Sequence, residues 1–147
     1  RPSWAGRERH SPAAPAGAPA LLARAAREFA RPLDAVRQAA TMARRIRTGE
    51  GRWAWDSAVI DWQGNEVTLL HAGLTQRIDR LVRRRDTGEW WGLDYKSAPR
   101  PDEQPALVEQ MIRYRDAVRN TNPGAAVRVA FLTGEGRVVE VGNARGA

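Results

Sequence analysis

The stretch from Gln76 to Ser97 reads QRIDRLVRRRDTGEWWGLDYKS, and it predicts two β-strands joined by a hairpin. The polar segment RDTG at residues 85–88 is the expected turn. Asp79 lies in the first predicted strand, whereas Asp94 and Lys96 lie near the end of the second. Residues two apart on a strand point to the same face of a sheet. Asp94 and Lys96 are therefore expected to share a face, and strand pairing can bring Asp79 beside them.

Two carboxylates and an amine on one patch suit a hard divalent cation and the water that such a cation activates. Lys96 is the only lysine in the chain, whereas arginine occurs many times. A lysine ammonium is compact and its pKa moves readily on burial, while a guanidinium is planar and always charged. The position of this lysine two residues after Asp94 favours a specific role. Chance survival of one surface lysine is the alternative.

Three short motifs follow one another along the chain: RIDRLV at 77–82, LDYKS at 93–97 and QMIRY at 110–114. In this order they resemble the RecB-type nuclease domain of the PD-(D/E)XK superfamily, over roughly residues 53–141. Within that family the pattern most resembles the C-terminal domain of UvrD-like helicase–nucleases of the AddA and RecB kind. The resemblance implies a restriction-endonuclease-like fold, a mixed central sheet flanked by helices.

The same resemblance implies a role for each residue of the first two motifs. Asp79 and Asp94 would be metal ligands, and the peptide carbonyl of Tyr95 would also face the metal, which is expected to be Mg²⁺ or Mn²⁺. Lys96 would orient or help to deprotonate the attacking water and stabilise charge on the phosphate. The candidate catalytic residues are therefore Asp79, Asp94 and Lys96. For Asp79, a salt bridge to a neighbouring arginine is the alternative.

The third motif supplies candidate DNA contacts. Gln110 and Tyr114 are four residues apart on a predicted helix and so share a face. The resemblance implies that they contact DNA or support the catalytic lysine; a half-buried tyrosine and an exposed glutamine are the alternative. Arg100, Arg113 and Ser97 are weaker candidates for contacts to phosphate.

The chain departs from the RecB-type pattern in one respect, since that family carries an upstream histidine as a third side-chain metal ligand. His10 lies in a Pro- and Ala-rich segment, and His71 lies in a strand just before Gly73. The chain begins with Arg1 rather than Met. We therefore expect a C-terminal fragment of a longer helicase–nuclease, with the ligand-bearing helix upstream. Glu28 is a candidate acidic substitute.

Composition bounds the class of protein. A chain of 147 residues suits one domain with a modest core. The absence of cysteine excludes disulfides and cysteine-ligated clusters in this sequence, and it argues against the Cas4-like and AddB-like branches of the superfamily, which carry a cluster. The sequence has no long apolar run and no signal peptide, so a cytoplasmic location is expected.

The net charge of +7 is unevenly distributed. Residues 1–52 hold eleven arginines and four acidic residues, whereas residues 53–147 hold thirteen basic and thirteen acidic residues. A basic N-terminal third favours a surface that faces a polyanion, nucleic acid first. A solvated helix face in an arginine-rich chain is the alternative.

Periodicity and turn signals predict two helices, three strands, a helix and two strands, which is an α/β or α+β arrangement. Residues 1–18 predict a linker or disordered lead-in, and residues 19–147 the nuclease domain. The predicted helices are 18–30, 33–47 and 103–120; the predicted strands are 53–62, 66–84 with a bend at Gly73, 89–97, 126–132 and 137–141. A turn is expected at residues 63–65. The helix between the third and fourth strands predicts a parallel, right-handed crossover.

The leading hypothesis is a metal-dependent exonuclease domain that cuts single-stranded DNA ends delivered by a helicase motor during double-strand break repair. Its partners would be DNA, the helicase domains of the same parent chain and a partner subunit. A second hypothesis is a catalytically inactive, nuclease-like scaffold that binds DNA or a partner subunit. It is motivated by the missing histidine. A third is a stand-alone resolvase or restriction-type endonuclease, a class that usually acts as a dimer on duplex DNA.

Overall fold

A computed structural model of the chain describes residues 32–142. The predicted lead-in, the helix at 18–30, His10 and Glu28 lie outside the described residues. The helices are α1 (Pro32–Thr48) and α2 (Pro105–Thr121), with 3-10 turns at Arg52–Trp55 and Pro101–Glu103. The strands are β1 (Ile60–His71), β2 (Leu74–Arg84), β3 (Trp90–Lys96), β4 (Val127–Thr133) and β5 (Val138–Val141). Neither described helix has the length and apolar run needed to cross a bilayer.

The five strands form one sheet in the order β1-β2-β3-β4-β5. β3 and β4 are parallel, and every other neighbouring pair is antiparallel. A parallel pair needs a long crossover, and α2 supplies it. The mixed sheet and the helical crossover confirm the predicted α/β class.

Each face of the sheet carries its own hydrophobic core because successive residues of a strand point to opposite sides. Ile46 of α1 packs with Leu93 and Leu132 on one face. Met111 of α2 packs with Phe131 on the other. All five side chains are at most 2% exposed. The sheet is thus sandwiched between α1 and α2.

The predicted strand at 53–62 and the turn at 63–65 are wrong. Residues 52–55 form a 3-10 turn, and β1 begins at Ile60 and runs without interruption through Gly64. A Cβ at position 64 would lie 2.8 Å from the Trp62 ring, so this glycine admits an aromatic side chain rather than forming a turn. The Gly64-Asn65 pair was therefore wrongly interpreted as a turn, because the glycine is explained by its contact with the Trp62 ring on the same strand.

The predicted strand at 66–84 is in fact the end of β1 followed by β2. His71 pairs with Leu74 across a two-residue turn. Ala72 and Gly73 both have positive φ, 52° and 76°. Type I′ hairpin turns require positive φ at both central residues, and Asn or Asp usually precedes the glycine. Alanine at the first position made the turn look like a bend.

Candidate active site

Asp94 and Lys96 end the most buried strand of the sheet, since every residue of β3 is buried. They lie on the face that α2 covers. Lys96 Nζ is 2.8 Å from Asp94 Oδ2, and the two side chains are 11% and 3% exposed. Two opposite charges are thus held together in a largely water-free place, at the end of a strand whose position the surrounding sheet fixes.

Asp79 reaches the same place from β2. Arg80 pairs with Leu93 in the antiparallel register of β2 and β3, so the next step sets Asp79 opposite Asp94. The backbone N–H of Tyr95 donates a hydrogen bond to Asp79 Oδ2 at 3.0 Å. The structure therefore brings Asp79, Asp94 and Lys96 together where β2 and β3 end their pairing.

The oxygen atoms available at this place are suitable ligands for a hard divalent cation. Asp94 Oδ2 is buried and, among residues 32–142, makes no hydrogen bond; Lys96 contacts it as an ion pair without hydrogen-bond alignment. A buried carboxylate oxygen without a hydrogen-bond donor destabilises the fold unless a positive charge or a metal ion compensates it. Asp79, Asp94 and the Tyr95 carbonyl are oxygen donors, and Mg²⁺ is held by one or two carboxylates together with water and phosphate. These residues would hold the ion.

Comparison with protein families gives the wider assignment. The family model of the PD-(D/E)XK nuclease superfamily matches residues 4–144. The chain belongs to the PD-(D/E)XK nuclease superfamily. A search of curated proteins found no match. The range that this superfamily model matches includes the Asp94–Tyr95–Lys96 segment at the buried end of β3.

The described part of this PD-(D/E)XK superfamily member supplies no third side-chain ligand. Within residues 32–142 no group of three or more His, Asp or Glu side chains is placed to hold a metal ion. His71 lies at the tip of the β1–β2 hairpin, beside Leu74. Leu74 is five residues before Asp79, about 17 Å along the strand. His71 is therefore remote from the carboxylates.

The Tyr95 side chain lies on the opposite face from the metal-binding candidates. Its ring stacks on Trp55 at 6.4 Å between centroids and belongs to the core under α1. Burial raises the pKa of the Tyr95 phenol, whose oxygen has no hydrogen-bond partner among residues 32–142. Only the backbone of Tyr95 faces the site, where its N–H holds Asp79.

Arg80 is a buried residue that sequence reasoning considered only as a salt-bridge partner for Asp79. The structure turns its side chain to the α1 face, completely buried, with the guanidinium 4.6 Å from the Trp55 ring centroid. Its acceptors are Ala54 O at 2.7 Å, Gln63 Oε1 at 2.7 Å and Asn65 Oδ1 at 2.9 Å. Burial lowers the pKa of Arg80 to about 10. The strand alternation around Asp79 was the available signal, because it sends Arg80 to the other side.

The candidate DNA contacts differ in accessibility. Gln110 is half-buried in the second turn of α2, and Arg113 is exposed on the same helix. Tyr114 is only 4% exposed and packs in the core under α2. Arg100 is exposed and pairs with Asp102 at 3.2 Å. The burial of Tyr114 favours support of the site over direct contact with DNA.

We expect Tyr95→Phe to leave stability at pH 7 nearly unchanged, because the hydroxyl that it removes is buried without a partner. Tyr95 stays protonated in the fold while the unfolded chain ionises above about pH 10. The unfolded state then binds fewer protons, so wild-type stability falls by up to about 1.4 kcal/mol per pH unit above that pH. Urea unfolding from pH 8 to 11 should show a shallower fall for Tyr95→Phe. Parallel curves for the two proteins would contradict this.

Proposed function

We propose that this chain is the nuclease domain of an ATP-dependent helicase–nuclease and hydrolyses DNA phosphodiester bonds with Mg²⁺ or Mn²⁺. The observation that carries the proposal is the meeting of Asp79, Asp94 and Lys96 where the pairing of β2 with β3 ends. Membership of the PD-(D/E)XK nuclease superfamily supports a nuclease reaction and a DNA substrate. The predicted role is exonucleolytic trimming of single-stranded ends during double-strand break repair.

The chain's own residues account for most of the chemistry. A divalent ion, when bound, supplies Lewis-acid activation of water and neutralises phosphate charge. Asp79 and Asp94 hold that ion, and the Tyr95 N–H keeps the Asp79 carboxylate in place. The Lys96 ammonium can donate a hydrogen bond to a phosphate oxygen as negative charge builds there. Its contact with Asp94 holds the ammonium in position.

The helicase-linked assignment rests on the order of the three motifs. RIDRLV at 77–82, LDYKS at 93–97 and QMIRY at 110–114 follow the RecB-type arrangement. The motifs lie on β2, on β3 and just beyond its end, and on α2, the elements that surround the proposed site. Helicase domains of the same parent chain and a partner subunit are the proposed partners. Gln110, Arg100 and Arg113 are proposed to contact DNA, and Tyr114 to support the site.

A catalytically inactive scaffold is the second candidate, and one observation favours it. Within residues 32–142 the carboxylates of the site come from Asp79 and Asp94, without a third side-chain ligand. A scaffold of this kind would bind DNA or a partner subunit and cut nothing. Metal binding separates the two functions.

We expect calorimetric titration of the chain with Mn²⁺ to show one site that Asp79→Asn weakens at least about tenfold, because the change removes one charged oxygen ligand. Asp61→Asn is the matched control, since Asp61 pairs with Arg83 at 2.7 Å away from the site. Equal Mn²⁺ affinity in all three proteins would reject the metal site and favour the scaffold.

A further inference from the structure

The described arginines differ in whether a carboxylate neutralises them. Five arginines of the sheet and its loops have a carboxylate partner: Arg77 with Glu66, Arg83 with Asp61, Arg84 with Asp86, Arg100 with Asp102 and Arg128 with Glu140. Within residues 32–142, Arg37, Arg44 and Arg45 of α1 have no such partner, and all three are exposed. The exposed face of α1 therefore carries cations whose charge the described part of the protein does not neutralise.

Two of these arginines line a cleft that begins where β3 ends. Arg37 and Arg45 are eight residues apart on α1, about 12 Å along the helix, and Thr41 lies between them on the same side. With Ser97, the residue after Lys96, they border a cleft of about 400 Å³. Gly134 N donates a hydrogen bond to Lys96 O at 2.9 Å, which ties the opposite wall to the end of β3.

A second cleft, of about 560 Å³, also borders the β4–β5 turn. It is lined by Arg52 and Arg137 and shares Glu135 with the first. Glu50 and Glu135 are the carboxylates along both clefts, against Arg37, Arg45, Arg52 and Arg137. Glu50 is engaged, because its Oε2 accepts a hydrogen bond from Val138 N at 3.0 Å. The two neighbouring clefts, hereafter the α1 groove, together keep a cationic excess.

We propose that the α1 groove binds the phosphodiester backbone of one DNA strand beside the end of β3, where Ser97 lines it. The guanidinium forks of Arg37 and Arg45 match phosphate geometry. The clefts have the dimensions of small-ligand pockets, so they admit nucleotides of a single strand rather than a duplex. This inference rests on the proposed nuclease function for what is cut, whereas binding itself needs no metal.

The test measures binding of a fluorescent oligothymidylate to the full 147-residue chain in EDTA over a series of salt concentrations. We expect Arg37→Ala/Arg45→Ala to weaken binding about tenfold and to reduce the salt slope by about 1.4, because two phosphate contacts to a single strand are lost. The matched control is Arg77→Ala/Arg119→Ala, which removes the same charge from exposed positions outside the groove. The control should bind nearly as wild type does.

Three results would overturn the α1 groove as a DNA site: equal losses in the two double variants, a duplex that binds as tightly as the single strand, or polyglutamate that competes as well as oligothymidylate. The last result would assign the groove to an acidic protein segment. Because the assay excludes metal, these results say nothing against cleavage that depends on Asp94. Conversely, a chain that binds through the groove and cuts nothing would refute the nuclease function alone.

Discussion

Asp94→Asn is expected to lower metal-dependent cleavage of single-stranded DNA by at least about 1000-fold. The change keeps the size of the side chain and removes the charge that would hold the cation beside Lys96 Nζ, 2.8 Å away. Asp94 is 2% exposed, so bulk water cannot substitute for the lost carboxylate. The measurement is the initial rate of release of acid-soluble nucleotides from a labelled single strand with Mg²⁺ and with Mn²⁺.

The control for Asp94→Asn has to separate lost chemistry from lost structure. Neutralising Asp94 leaves the Lys96 ammonium, in a side chain only 11% exposed, without its described counter-charge. The urea midpoint should therefore be measured beside the rate, at a temperature where both proteins are folded. Asp61→Asn breaks an ion pair with Arg83 on the same sheet and should keep full activity. Unchanged cleavage in a folded Asp94→Asn protein would refute the site, and an inactive wild-type chain would favour the scaffold.

Lys96→Arg is expected to lower cleavage about 100-fold even though the positive charge is kept. The side chain is nearly buried between the strand end and α2, in a space that holds a compact ammonium. A planar guanidinium is larger and directs its donors along a fixed fork, so it cannot take the same place toward water and phosphate. Overpacking should also cost about 1–3 kcal/mol of stability. Single-turnover rates with saturating Mg²⁺ would isolate the chemical step.

The control for Lys96→Arg is the opposite substitution, arginine to lysine, in the ion pair of Arg83 with Asp61. Arg83→Lys loses a bidentate contact to Asp61 but lies outside the site, so stability should change slightly and cleavage should not. Full activity in Lys96→Arg would mean that the reaction does not require a lysine at position 96. A loss in Lys96→Arg together with normal Mn²⁺ binding would assign Lys96 to the chemical step rather than to metal binding.

Several features of the site were predictable because they depend on neighbours in the sequence. Strand alternation alone sets Asp94 and Lys96 on one face, and the hairpin turn near residues 85–88 brings Asp79 opposite them. The apolar run of β4 and the helix before it predict the parallel crossover. Such patterns depend on residues that are close together in the sequence, so a short segment of the chain is enough to reveal them.

Other features depended on contacts between distant segments. Gly64 looked like a turn residue because the Trp62 ring that packs over it is visible only in the folded strand. Arg80 was considered only as a salt-bridge partner of Asp79, yet it is buried on the other face, where Ala54, 26 residues earlier, offers a backbone acceptor. Burial of a charge depends on the acceptors that the fold supplies, and these are not encoded in the flanking residues.

The sequence by itself determined the mixed α/β class, the pairing of the two strands that carry Asp79, Asp94 and Lys96, and the chemical types of the candidate ligands. Tertiary structure alone decided the burial of the Asp94–Lys96 ion pair, the burial of Arg80, and the groove between α1 and the β4–β5 turn. The physical reason is the distance along the sequence over which each interaction acts. Alternation and turn chemistry act over a few residues, whereas exclusion of water and formation of a groove need segments about 90 residues apart to pack together.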